Sequence, residues 1–212
     1  VAGELDAGTL GMVQVYREAL ASEALRAEVF AGRRSPLIFG EPEQWIALLL
    51  EALRLGAAGE HGQAQKLREQ AFEQAPASAG QIDDTPFEWL ADADQRLGPI
   101  LELIVNGRYY WAPVHRIAEM RFEKPSDLRD LVWLPVELKW ANGGEAVGFI
   151  PARYPGSEAA ADPGLKLGRR TEWLDVGAGT FAGCGQRMLA TDAAEYPLME
   201  VTSIVLHAAP PA

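Results

Sequence analysis

Four scarcities constrain this chain of 212 residues before any motif is considered. Cysteine occurs once, at Cys184. A disulfide framework or a cysteine-based zinc cluster needs several thiols, so both are excluded, and with no sign of an oxidising compartment the expected location is cytoplasmic. Histidine occurs only as His61, His115 and His207. Basic side chains are outnumbered, 19 against 30 acidic, for a formal charge of -11. A surface of that sign repels a phosphate backbone, which argues against nucleic acid and anionic membrane as partners. No apolar run approaches the roughly 20 residues that cross a bilayer, and no signal peptide opens the chain, so no membrane insertion is expected. The chain begins at Val1 rather than methionine, and the expectation is that helices of the natural N-terminus lie upstream.

Phosphate-binding and catalytic signatures are also missing. There is no G-x-G-x-x-G, Walker-type loop, H-E-x-x-H or G-x-S-x-G, and no cofactor or metal is expected. What is present is 48% hydrophobic residues, enough for a packed core.

The apolar pattern divides the chain. Val13, Tyr16, Leu20, Ala24 and Ala27 recur at helical steps and Gly32 follows, which predicts an amphipathic helix over residues 12–30. "GEPEQWIALLLEALRLG" predicts a second, with Pro42 at its start and Trp45, Leu48, Leu49 and Ala52 on one face. A third follows in "GQAQKLREQAFEQAP", where Ala64, Ala71 and Pro76 reproduce the tail of a tetratricopeptide unit. The stretch from Pro76 to Asp94 is rich in turn formers and reads as a crossing loop with a short helical turn. "LGPILELIV" reads as a helix from Leu97 to Val105, capped by Asp94 and ended by Asn106-Gly107.

Beyond that turn the period changes to two. "LVWLPVELKWANGGEAVGFIP" reads as a hairpin about Asn142-Gly143-Gly144, and Met199 to Ala208 as a last strand. The expected fold class is α+β, with a TPR-like helical region over residues 1–105 and a mainly antiparallel β-rich domain over 106–212. Residues 1–110 hold 9 basic and 17 acidic side chains, so most of the negative field lies on the first half.

Three clusters invite a chemical reading. Asp92 and Asp94, with Asp83, Asp84 and Glu88 upstream, supply the oxygens a hard cation wants, but "DADQRLG" lacks the glycine and distal glutamate of an EF-hand. Pairing with an arginine such as Arg96 or Arg129, with Asp94 capping the helix that follows, is the preferred account of these carboxylates. Cys184 in "GCGQR" lies between glycines whose amides would suit an oxyanion, yet none of the histidines carries a partner motif, and a packed thiol is preferred. Arg153, Arg169, Arg170 and Arg187 fall in glycine-bearing loops that suit an anionic ligand or internal ion pairs, the latter preferred. Trp45, Tyr109, Tyr110 and Trp111 read as core aromatics before contact residues.

Taken together, "YREALASEALRAEVFAG", "FEWLADADQRLGPILELIVNGRYYW", "IPARYPGS", "GRRTEW" and "GCGQR" resemble the ImpE family, also called TagJ, of bacterial type VI secretion accessory proteins. The likeness spans nearly the whole chain, with "FAGC" a local departure from the family's Gly-Leu-Gly run. It implies a cytoplasmic, non-enzymatic adaptor that binds the small subunit of the contractile sheath through that subunit's N-terminal helix. The partner-binding residues are unknown at this stage, and no catalytic residue is implied. The rival is a hydrolase or ligand-binding enzyme using Cys184 with the loop arginines.

Overall fold

The computed structural model describes residues 7–207. Helices α1 (Ala7–Phe30), α2 (Gln44–Ala57) and α3 (His61–Gln74) come first, with a two-residue strand β1 (Leu37–Ile38) between the first two. Strands follow: β2 (Gly80–Ile82), β3 (Thr85–Phe87), β4 (Leu90–Asp92), β5 (Ile100–Val105), β6 (Arg108–Pro113), β7 (Ile117–Phe122), β8 (Trp133–Trp140) and β9 (Glu145–Pro151). A short helix α4 (Pro163–Lys166) precedes β10 (Thr171–Asp175), β11 (Phe181–Gly185), β12 (Met188–Thr191), β13 (Glu195–Pro197) and β14 (Ser203–Leu206). The large sheet runs β1-β6-β5-β9-β8-β7-β14-β2-β3, and among the described residues only its β1–β6 pair is parallel. β13-β12-β4 and β10-β11 form two smaller sheets. The expected mixture of early helices and a mainly antiparallel sheet is present.

The predicted hairpin is β8 and β9, paired from Trp133 opposite Pro151 to Lys139 opposite Glu145. α2 and α3 lie side by side, and Ala64 and Ala71 are fully covered where small residues let the backbones approach. The last strand is shorter than expected, Ser203–Leu206, and Ala208 lies outside the described residues.

Three expectations are corrected. Residues 97–105 are not a helix: Ile100–Val105 is a strand with every residue buried, paired to β6 along its length. Both faces are covered. Ile100 and Ile104 pack toward α1 and α2, while Leu101, Leu103 and Val105 enter the core on the other side. A strand buried on both sides is apolar at nearly every position, which erases the period of two. Residues 76–94 are likewise not a loop with a helical turn but hold three short strands, so the first helical region ends at Gln74 rather than at 105.

The third correction concerns α1. Its buried face is Ala19, Ser22, Arg26 and Val29, with Tyr16 half-buried beside them, whereas Leu20 is 60% exposed and Ala24 and Ala27 face solvent. The inner face carries an arginine and a serine, so apolar spacing pointed to the wrong side. What turns the helix is the partner that awaits Arg26.

Candidate functional site

Glu102 stands in the middle of the apolar run "ILELIV" and is fully buried. A carboxylate there is costly unless paired and hydrogen-bonded. Arg26 supplies Nε to its Oε1 at 2.7 Å and Nη2 to its Oε2 at 2.8 Å, Arg187 reaches the same Oε2, and the Tyr109 hydroxyl donates to Oε1. Trp111 Nε1 in turn donates to the Tyr109 hydroxyl at 2.8 Å. Arg187 also pairs with Asp92, which accepts from the Tyr154 hydroxyl at 3.1 Å and the Asp94 amide at 2.8 Å. Asp94 grips Arg96, with Nε to Oδ1 at 2.9 Å.

These charges shape one another. Burial pushes Glu102 upward, but two guanidiniums outweigh it and hold the carboxyl down to about 2. Asp92 has one guanidinium and two neighbouring carboxylates, and burial carries it up to about 6 against the pull of Arg187. The centre of the network is buried: Arg187 and Glu102 are each 0% exposed. Its chemistry is to fasten α1, β4, β5 and the approach to β12 to one another.

The other candidates resolve in the same direction. Among the described residues no group of three or more His, Cys, Asp or Glu side chains is placed to hold a metal. Asp83 accepts from Thr202 and Ser203, and Arg129 pairs with Asp127 rather than with Asp92 or Asp94. Asp94 caps no helix; its Oδ1 takes the amide of Arg96 within a turn. Cys184 is buried, and the amides beside it are spent, Gly183 on Asp94 Oδ2 at 2.9 Å and Gly185 on Ser157 Oγ at 2.8 Å. No oxyanion hole is formed there. Arg170 lies against Asp162 and Glu172, and Arg153 donates to the carbonyl of Lys166. Trp45, Tyr109 and Trp111 are core, Tyr110 packs edge-on against Phe39, and His115 contacts Glu43 at 3.1 Å.

With α1 fastened, one of its flanks walls an open groove of about 600 Å³ whose floor crosses β5, β9, β8 and the end of β7. Its apolar lining includes Val15, Phe122, Pro135, Val147 and Phe149. Among the described residues Val147 is 72% exposed and Val15 41%. Glu18, Glu123 and Glu137 stand at the groove against one basic residue, Arg121, which Glu119 already holds at 2.6 Å. The wall is held against the sheet: Tyr16 packs on Trp133 and Phe149, Arg129 sits 4.7 Å over the Tyr16 ring, and Trp133 Nε1 donates to Glu23. At its end the Asn106-Gly107 turn needs φ of +49° and +71°, and a Cβ on Gly107 would lie 2.4 Å from Glu18 Oε2. Glycine satisfies both demands.

Sequence reasoning missed Arg26 and Glu102. The signal was clearest for Glu102, the one charge inside the apolar run "ILELIV"; Arg26 was masked by Glu23 and Glu28 beside it in "ALASEALRAEVF".

The profile of the family described as "ImpE protein" matches residues 84–205. The type VI secretion system accessory component TagJ of Pseudomonas aeruginosa is 55% identical over 204 residues, spanning 96% of this chain and 71% of that protein. A Vibrio parahaemolyticus protein of known crystal structure superposes with a TM-score of 0.82 at 23% identity, covering 93% of this chain and 74% of its own, which establishes a shared fold. None of the described helices is long and apolar enough to cross a membrane. The match from β3 to β14, together with 55% identity to an accessory component over 96% of this chain, makes this chain a member of the ImpE family.

Proposed function

We propose that this chain is a non-catalytic, cytoplasmic adaptor of the type VI secretion machinery that binds the small contractile-sheath subunit by that subunit's N-terminal helix. The observation that carries the reading is the 55% identity to an accessory component over nearly the whole chain. Two features of the molecule agree with it. The carboxylates and arginines that would otherwise serve catalysis are consumed in buried ion pairs, and the groove beside α1 has the character a helix seeks: an apolar floor with an acidic margin. An amphipathic helix would set apolar residues at i, i+3, i+4 and i+7 against Val147 and Phe149 and turn basic residues toward Glu123 and Glu137. Because the wall is already held in place, little ordering is required on binding.

Calorimetric titration with a synthetic peptide of the small sheath subunit's N-terminal helix tests this. Saturable binding that a helix-breaking proline in the peptide abolishes is the expected result. The absence of any heat of binding from the full chain defeats the reading.

A further inference from the structure

A second, smaller cavity of about 180 Å³ is lined by α2, α3, the end of α1, Arg96 and the turn that joins β10 to β11. Its polar lining is cationic or donating: His61, Arg68, Arg96 and Thr180. Arg68 is the anomaly. It is 8% exposed, yet its Nη1 donates to the neutral Thr180 hydroxyl at 2.7 Å and its Nε has no hydrogen-bond partner. The carboxylates near enough to influence it are Asp94 and Glu69, and neither forms an ion pair with it; Asp94 is committed to Arg96, and Glu69 accepts from Gln65. Every other deeply buried arginine in the described residues, Arg26 and Arg187, holds a carboxylate.

A buried guanidinium without a counter-ion is strongly unfavourable, and a bound anion would supply the missing charge. Burial, and after it the neighbouring Arg96 guanidinium, lower the Arg68 pKa against the opposing pull of Asp94 and Glu69. Arg96 brings a second guanidinium whose Nη1 is not used on Asp94, and its plane is held 4.9 Å from the Phe30 ring. His61 is fixed at the opening because its ring lies against Gly177, where a Cβ would come within 2.7 Å and φ is +105°. The volume is about six waters' worth of liquid, well under the roughly 300 Å³ at which pockets for drug-sized ligands begin. Nucleotides and cofactors are therefore too large.

We propose that this cavity is a binding site for a compact oxyanion of phosphate size, held by Arg68, Arg96 and Thr180 with His61 at its mouth. Planar guanidiniums offer parallel N–H donors that match the oxygens of such an anion, and the threonine hydroxyl, accepting from Arg68, has its own proton left to give. The site lies apart from the groove beside α1, so it stands whether or not a sheath helix binds there.

The experiment is calorimetric titration of inorganic phosphate into the full chain at pH 7.5, with ionic strength held constant by chloride. Saturable one-to-one heat is expected from the wild-type chain, with apparent affinity reduced at least ten-fold in Arg68→Met and several-fold in Thr180→Val. Thr180→Val changes no charge and keeps shape, so it carries the test if Arg68→Met fails to fold. Thermal denaturation is the second readout, since a bound anion raises Tm in a concentration-dependent way. Phosphate also stabilises proteins by exclusion from their surfaces, so the rise must be smaller in both variants than in wild type. No saturable heat from the wild-type chain, or equal responses from wild type and both variants, overturns the proposal.

Discussion

Arg26 on α1 grips Glu102 on β5 with two parallel charge-assisted hydrogen bonds, 2.7 and 2.8 Å long, across 76 residues of chain. The fork geometry fixes an angle as well as a distance, because both donors must lie in the plane of the carboxylate. This one contact decides which face of α1 meets the sheet and therefore where the groove wall stands. Arg26→Ala leaves Glu102 buried with one guanidinium instead of two, and a loss of about 3–5 kcal/mol is expected for breaking such a pair. Urea unfolding measures it; a change below about 1 kcal/mol would mean that α1 is held by its apolar contacts alone.

The two buried carboxylates titrate in opposite senses. Glu102, held down to about 2 against an ordinary 4.5, contributes stability that is present above pH 4.5 and lost as pH falls toward 2. Asp92, carried up to about 6 against an ordinary 3.8, does the reverse: stability is highest below pH 3.8 and declines as pH rises through 6. Stability therefore falls by up to about 3 kcal/mol between pH 4 and pH 6 from Asp92. Urea midpoints of wild type and Asp92→Asn across that interval give the comparison, and the variant is expected to lack the decline.

Val147→Glu places a charge on the exposed floor of the groove, where folding is insensitive but an apolar contact is not. At least ten-fold weaker binding of the sheath peptide is expected. Leu20→Glu, on the opposite flank of α1 in a different cavity, is expected to leave affinity unchanged. Equal affinities for both variants and wild type would keep the adaptor reading and reject this groove.

Glu123→Gln combined with Glu137→Gln removes two negative charges from the groove without changing its shape. The association rate should fall and its dependence on salt should flatten, because steering by complementary charge acts mainly on encounter. Stopped-flow measurements at two ionic strengths decide it.

Gly183→Ala tests the packing behind "GCGQR". A Cβ there would come within 2.2 Å of the Tyr154 ring, whose hydroxyl accepts the Met188 amide at 2.9 Å and donates to Asp92. Overpacking of this kind costs about 1–3 kcal/mol, and displacing the tyrosine loosens the network as well. Thermal denaturation should show a marked loss, and an unchanged midpoint would mean the ring moves without consequence.

Several features could be read directly from local sequence. The β8–β9 hairpin was legible because one face is buried and the other solvated, so apolar and polar residues alternate about an Asn-Gly-Gly turn. α2 and α3 were legible from their spacing and from Pro76 beyond the second. β5 was not, since a strand covered on both sides has no alternation to display. The three short strands between Gly80 and Asp92 escaped because each is three residues long and rich in turn formers, and they exist only by pairing with β14 and β12 or with one another. Of the site, the preference for internal ion pairs was correct for Asp92, Asp94, Arg170 and Arg187, although their partners lie as far as 95 residues away.

By itself the sequence determined composition, charge, the positions of α1, α2 and α3, the antiparallel character of the later strands and the likeness to the ImpE family, because these follow from near neighbours and from strings of residues. Tertiary structure alone decided which face of α1 turns inward, that Glu102 and Arg187 share a sealed network, that Arg68 is left without a counter-ion, and where a groove opens. Each depends on charges distant in sequence meeting in a low-dielectric interior, where pairing outweighs the local pattern of hydrophobicity.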